Sequence, residues 1–332
     1  MTPQGRGLAP GRAARNANGY RFRYPRFVLR TVISFAGCAL ALAAAGCGSG
    51  GSDASIRLAA TTPPAADLVR AVAGDRAAVT ALLPLNADPH DYEPRPSDAR
   101  AVAEADAIFR SGGDLDDWTG ELVEGAGAEA PVLHLIDAVD TIEAGGEADP
   151  HWWHDPRNAV KAVAAIRDEL SDIDPSGDAV YERNAAAYSA RITKLDERIA
   201  ACIRRIPRER RRLVTSHDAL GYFAERYGLE VVGSTIPALT TQAQPSAGET
   251  AELIDLIRER DVPAVFPEAG VGTRLERAIA RETGARVGDE LYADTLGPQG
   301  SPGDTYLGAL AANARRISAG LGGSRAGCEI EP

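Results

Sequence analysis

The chain is poor in the residues that usually announce metal or disulfide chemistry, with four cysteines and five histidines among 332 residues. Four cysteines are too few for a disulfide-dense scaffold, and none sits in a Cys-x-x-Cys pair. Basic residues are outnumbered, 36 against 47 acidic, giving a formal net charge of −11. That balance argues against a general nucleic-acid binder, which needs a basic face to meet phosphates. There is no internal repeat at a solenoid period. What is present is ordinary globular material: 44% hydrophobic and 25% charged residues. The length suits one large domain or two ordinary ones, at roughly 100–200 residues each.

The charge is unevenly spread. Residues 1–46 carry seven arginines and no acid. Removing those seven from the 36 basic residues leaves 29 against 47 acidic, so the rest of the chain stands at −18. An arginine-rich start followed by an apolar run of about 15 residues, 31–45, reads as an export signal. The run is short of the roughly 20 residues that a membrane-spanning helix needs. It contains no adjacent arginine pair, which argues against a twin-arginine signal. It ends in Ala44-Ala45-Gly46-Cys47, similar to a bacterial lipobox except that alanine stands where leucine is usual. Cys47 is therefore the expected lipidation site, and residues 1–46 the expected signal peptide. Gly48-Ser49-Gly50-Gly51-Ser52 then forms a flexible tether, assigned to 47–54. Of the remaining cysteines, Cys202 and Cys328 are candidates for one disulfide in an oxidising compartment.

Beyond the tether, short apolar runs alternate with helical patterns. Strands are expected at 56–60, 78–83 and 107–109, an apolar run at 131–136 and a helix at 97–105. Asp155-Pro156 is an N-cap followed by proline at the first helical position, and Val160, Val163, Ile166 and Leu170 continue one apolar face. From 178 to 206 there is neither glycine nor proline, and Tyr188, Ile192, Leu195, Ile199, Ile203 and Ile206 recur at spacings of four and three. This predicts one amphipathic helix, roughly 43 Å long at about 1.5 Å per residue. Alternation then resumes, with strands at 212–215, 230–232, 262–266 and 285–287, a capping box at Ser246 and Glu249, and a closing helix at 309–319. The expected fold is α/β: two lobes of βα units with parallel sheets, 55–177 and 207–332, joined by the long helix 178–206.

Three of the five histidines, His90, His151 and His217, fall in loops before or at helix starts, beside prolines or acids. That is the ligand-binding edge of open α/β sheets. Three neutral imidazoles meeting there would suit a borderline divalent metal. By spacing alone, loop histidines of this kind are more often surface or capping residues. The segment 88–118, with Pro89-His90-Asp91-Tyr92-Glu93-Pro94, Ser97-Asp98 and Ser111-Gly112-Gly113, resembles the first motif of the zinc/manganese solute-binding lipoproteins of ABC importers (cluster A-I). Asp149-Pro150-His151-Trp152-Trp153 resembles their second histidine motif, and the segment from Val214 to Phe223, around His217, their third. Glu290-Leu291-Tyr292-Ala293-Asp294 and Thr305-Tyr306-Leu307 are similar to their C-terminal acidic motif. The likeness covers nearly all of residues 56–322, in order.

The resemblance implies metal ligands at His90 and His151 in the first lobe, and at His217 and Asp294 in the second. Three nitrogens and one carboxylate suit Zn²⁺, whereas manganese prefers more oxygen. Some members of the family have glutamate at the position of His217, and histidine there also occurs in members linked to manganese, so Mn²⁺ (or iron) is the alternative cargo. The implied partners are a membrane permease and its cytoplasmic ATPase, with the protein a lipid-anchored monomer on the extracytoplasmic face of the membrane. Many zinc-binding members carry a histidine-rich loop between the first two motifs; here that stretch, 121–148, holds only His134, read as structural. His154 is read as an exposed histidine in the first turn of a helix, with an auxiliary metal contact as the alternative. Glu268 is expected near the site as an acceptor for a histidine N–H, or else as a surface acid. The three tryptophans are read as packing residues. The resemblance implies capture without catalysis. A zinc hydrolase would need an open coordination position, which Asp294 would close, and an adhesin would need a module that is not evident.

Overall fold

The computed structural model describes residues 56–85, 87–323 and 328–332. The export signal, Cys47 and the tether lie outside the described residues. The first lobe is built on β1 (Ile56–Ala60), β2 (Ala77–Ala81), β3 (Ala107–Arg110) and β4 (Val132–His134), in the order β2-β1-β3-β4 with every pairing parallel. Strands covered on both faces read as continuous apolar runs, and all four residues of β3 are buried. Side chains alternate across the sheet. Leu58, Ala60 and Phe109 enter the main core beneath α1 (Pro63–Ala73) and α4 (Pro156–Ile173), while Ala59 and Ile108 pack on the other face with residues of α2 (Pro96–Ala103) and α3 (Trp118–Ala126). A two-residue antiparallel hairpin, β5 (Glu143–Ala144) and β6 (Glu147–Ala148), precedes the His151 segment.

The expected cap of α4 is present: the Asp155 carboxylate accepts from the Arg157 N–H at 2.9 Å, and Pro156 opens the helix. The long helix is α5 (Asp178–Ile203), three residues shorter than the sequence pattern predicts. Pro207 disfavours helical backbone at the residue before it. The chain tightens there into three-residue turns, with Arg205 N–H on the Cys202 carbonyl and Ile206 N–H on that of Ile203. The buried face of α5 includes Tyr181, Tyr188, Ile192, Leu195 and Ile199. It packs on α1 and α4 from the first lobe and on α9 (Tyr306–Gly322) from the end of the chain.

The second lobe comprises β7 (Arg212–Thr215), α6 (Gly221–Tyr227), β8 (Glu230–Ser234), α7 (Ala247–Glu259), β9 (Ala264–Val265), α8 (Arg274–Thr283), β10 (Arg286–Val287) and α9. The pairs β7–β8 and β9–β10 are parallel, and a bond from Phe266 N–H to the Val214 carbonyl, 2.9 Å, joins one pair to the other. β9 is shorter than the expected 262–266 because Pro263 and Pro267 bracket it and neither has an N–H to give the ladder. Cys202, at the end of α5, is joined to Cys328 with Cα atoms 5.7 Å apart. The architecture is the expected α/β one: two lobes of parallel βα units connected by a long helix.

Candidate metal centre

The motif Asp-Pro-His occurs twice and makes the same turn twice. Asp88 caps a short turn over Pro89–Asp91 by accepting the His90 N–H at 2.9 Å. Asp149 accepts the His151 N–H, also at 2.9 Å. In each case an aspartate closes on a backbone N–H two residues ahead, and the intervening proline restricts the backbone. The second turn does more. The same Asp149 oxygen lies 2.8 Å from His151 Nδ1, so Nδ1 carries the proton and Nε2 presents its lone pair. His217 leaves the end of β7 and is treated alike from farther away, with Glu268 Oε2 2.6 Å from its Nδ1.

The three rings and Asp294 meet. One ligand atom from each of His90, His151, His217 and Asp294 lies within 4.8 Å of every other. The Asp294 oxygens are 3.4 Å from His90 Nε2, 3.2 Å from His151 Nε2 and 3.3 Å from His217 Nε2. The His151 and His217 Nε2 atoms are 3.4 Å apart. All four side chains are at most 4% exposed. His90 Nε2 and both Asp294 oxygens are buried without a hydrogen-bond partner. Groups left in that state cost free energy unless something else satisfies them. Lone pairs facing lone pairs around one point are satisfied by a cation.

Burial disfavours the charged form of each group, but neighbouring charges win at the centre. For His151 the burial penalty is outweighed by the Asp294 and Asp149 carboxylates, and its pKa rises to about 9. For His217, burial is outweighed by Glu268 and Asp294, and its pKa goes well above the ordinary value. Asp294 is driven well below the usual carboxylate range, burial being overcome by His217 and His151. Burial pushes Glu268 up.

Glu268 is buried against His217. His154 is not the exposed first-turn residue expected. It is 2% exposed rather than an open first-turn residue, it lies in the short turn Trp152–His154 before α4, and its Nε2 contacts the Ala293 carbonyl at 3.1 Å rather than joining the four-atom group. His134 ends β4, outside the cluster. The Trp152 indole bonds the Ser111 carbonyl at 3.0 Å, within the first lobe; Trp153 bonds Ala293 across the lobes, also at 3.0 Å.

Sequence reasoning passed over several supporting residues. Asp149 was legible from the repeated Asp-Pro-His turn. Glu276, on α8, accepts from Ser216 Oγ at 2.7 Å and Thr235 Oγ1 at 3.0 Å, bracing the loop beside His217. Thr241 bonds Asp88, and Gln242 donates to the His90 carbonyl. These last contacts join residues some 150 positions apart, and polar loop residues carry no pattern that would announce them.

Residues 58–320 match the family described as zinc-uptake complex component A, periplasmic (ZnuA). The chain is 33% identical over 299 residues to the manganese-binding lipoprotein MntA of Halalkalibacterium halodurans, covering 88% of this chain and 99% of that protein. It is 30% identical over 290 residues to the manganese ABC transporter substrate-binding lipoprotein PsaA of Streptococcus mitis, covering 83% and 93%. Among solved structures, the periplasmic zinc binding protein TroA of Treponema pallidum superposes with a TM-score of 0.75 at 28% identity, covering 80% of this chain and 99% of that one. The chain belongs to the zinc-uptake complex component A family, the extracytoplasmic metal-binding components of ABC importers.

Proposed function

We propose that the protein captures Zn²⁺ with His90, His151, His217 and Asp294 and delivers it to a membrane permease powered by a cytoplasmic ATPase. The carrying observation is the buried convergence of three imidazole Nε2 atoms on one carboxylate, with His90 Nε2 and both Asp294 oxygens unpartnered. A tetrahedron with metal–ligand bonds of about 2.0–2.1 Å has edges of roughly 3.3 Å. The closest ligand-atom pairs here lie at 3.2–3.4 Å, shared between the two Asp294 oxygens, and the whole set lies within 4.8 Å, close enough to surround one ion. His90 and His151 come from the first lobe, and His217 and Asp294 from the second, so the cargo draws the lobes together. In this reading Cys47 carries the lipid anchor and the protein acts as a monomer.

Manganese is the second reading, favoured by the names of the relatives from H. halodurans and S. mitis. A hydrolytic role is disfavoured because Asp294 fills the position a reactive water would need, and Glu268 is engaged with His217. The test is direct titration of the full-length protein, purified without chelator, with Zn²⁺ and Mn²⁺. One zinc per chain, bound more tightly than manganese, is expected, and His217→Glu should move the preference toward manganese. Stoichiometric manganese with weak zinc overturns the zinc assignment.

A further inference from the structure

His154 is buried in a way that an apolar side chain would do at less cost. It lines a small cavity with Pro64, Leu296, Tyr306 and Leu310. Its Nδ1 has no hydrogen-bond partner. Its Nε2 faces a carbonyl oxygen, which can only accept, so the proton sits on Nε2 and the ring donates. Burial, reinforced by the nearby His151, lowers its pKa to about 3, so the ring is neutral.

The acceptor is what matters. The Ala293 carbonyl receives the His154 N–H at 3.1 Å and the Trp153 indole N–H at 3.0 Å. Both donors stand on the first lobe, in the turn that begins at His151. Ala293 belongs to the second lobe and directly precedes Asp294. Tyr292, one residue earlier, is pinned from its own lobe by Asn313, which bonds its N–H at 2.9 Å and its carbonyl at 2.7 Å. The Tyr306 hydroxyl donates to the Trp153 carbonyl at 2.6 Å and ties the turn back to α9. One short turn therefore carries a metal-facing imidazole at its start and, at its end, a grip on the residue next to the opposing carboxylate.

We propose that His154 is a positioning residue for metal capture: with Trp153 it registers the Ala293–Asp294 segment of the second lobe against His151 of the first. The assignment rests on the metal-capture reading. It converts the separation of His151 Nε2 and Asp294 Oδ1, 3.2 Å, from a property of two independent lobes into a property of one bonded unit. Partners that orient ligands without touching the metal typically change affinity about 10–100-fold when removed.

The experiment compares the full-length protein with His154→Leu, which fills the space and removes the donor, and His154→Gln, which keeps an N–H. Zinc affinity is measured by competition with a chromophoric chelator, and coordination geometry by the visible absorption of the Co²⁺-loaded protein. His154→Leu is expected to weaken zinc by about tenfold or more and to alter the Co²⁺ bands, with His154→Gln recovering most of both. Trp153→Phe, which removes the other donor but keeps an aromatic body, is expected to weaken zinc several-fold and gives a second reading if His154→Leu unfolds. Unchanged affinity and unchanged Co²⁺ bands in His154→Leu, or in Trp153→Phe where the leucine variant does not fold, overturn the assignment alone. Failure of the unsubstituted protein to bind zinc, manganese or cobalt overturns the capture reading and the assignment with it.

Discussion

At the scale of single residues, the centre is organised by who holds which proton. Asp149 and Glu268 accept hydrogen bonds from the Nδ1–H groups of His151 and His217, which turns both Nε2 atoms toward Asp294. Without metal, those Nε2 atoms become protonation sites beside a carboxylate. The folded-state pKa of His151, about 9, lies above its ordinary 6.5, so protonation stabilises the metal-free fold. That contribution is fully present below pH 6.5 and is lost as the pH rises through about 9. Asp294 runs oppositely: its contribution is present above the ordinary carboxylate value of 3.8 and is lost as the pH falls through its depressed native value. Metal must displace the imidazole protons. We therefore predict that zinc binding between pH 6.5 and 9 releases protons and tightens as the pH rises, checked by calorimetry in buffers of different ionisation enthalpy. Uptake with no net proton release across that range would contradict this account of His151 and His217.

Much of this was legible in the sequence, for identifiable reasons. Histidine is rare here, so three copies in Asp-Pro-His and strand-end settings stand out. Asp-Pro-His dictates its own local turn, and local turns need no tertiary information. Glu268 was visible as a candidate only because a strand pattern ends just before it. The burial of His154 depends on α9 and on the segment 292–296, more than 130 positions away. A sequence window cannot report such a neighbour.

At the scale of elements, the most readable features were again those with local causes. The cap of α4 and the start and stop of α5 were marked by Asp155-Pro156, Asp174-Pro175-Ser176-Gly177 and Pro207. The helix α1 has an equally local signal, with the Thr62 hydroxyl accepting the Ala65 N–H before a proline pair. The strands β9 and β10 are shorter than the sequence pattern predicts because the pattern says nothing about which N–H groups find partners. Asp155 offers a test at this scale. Asp155→Ala removes the N-cap of α4 and should lower the stability of the metal-free protein by about 1 kcal/mol, while Asp155→Asn should retain most of it. Denaturant unfolding measures both, and equal stability of the alanine variant and the parent would contradict the cap.

At the scale of the whole molecule, α5 and the disulfide tie distant parts of the chain together. α5 packs on helices from both lobes, and Cys202 at its end is joined to Cys328 across 126 positions. A cross-link closing so long a loop restricts the unfolded chain strongly, and typical losses on removal are roughly 2–4 kcal/mol. Cys328→Ser should therefore lower the unfolding midpoint in the absence of reductant and make the protein insensitive to reductant. An unaltered midpoint would mean that the bond contributes nothing to stability. Neither cysteine belongs to the metal-ligating cluster, so zinc stoichiometry should survive the substitution.

In the proposed function, His90, His151, His217 and Asp294 from two lobes surround one ion. Zinc K-edge X-ray absorption of the loaded full-length protein tests it most directly. The prediction is four nitrogen or oxygen ligands at about 2.0–2.1 Å, with outer-shell scattering from three imidazoles that falls to two in His217→Ala. A shell of six oxygen-like ligands without imidazole scattering, or a spectrum unchanged by His217→Ala, would contradict it.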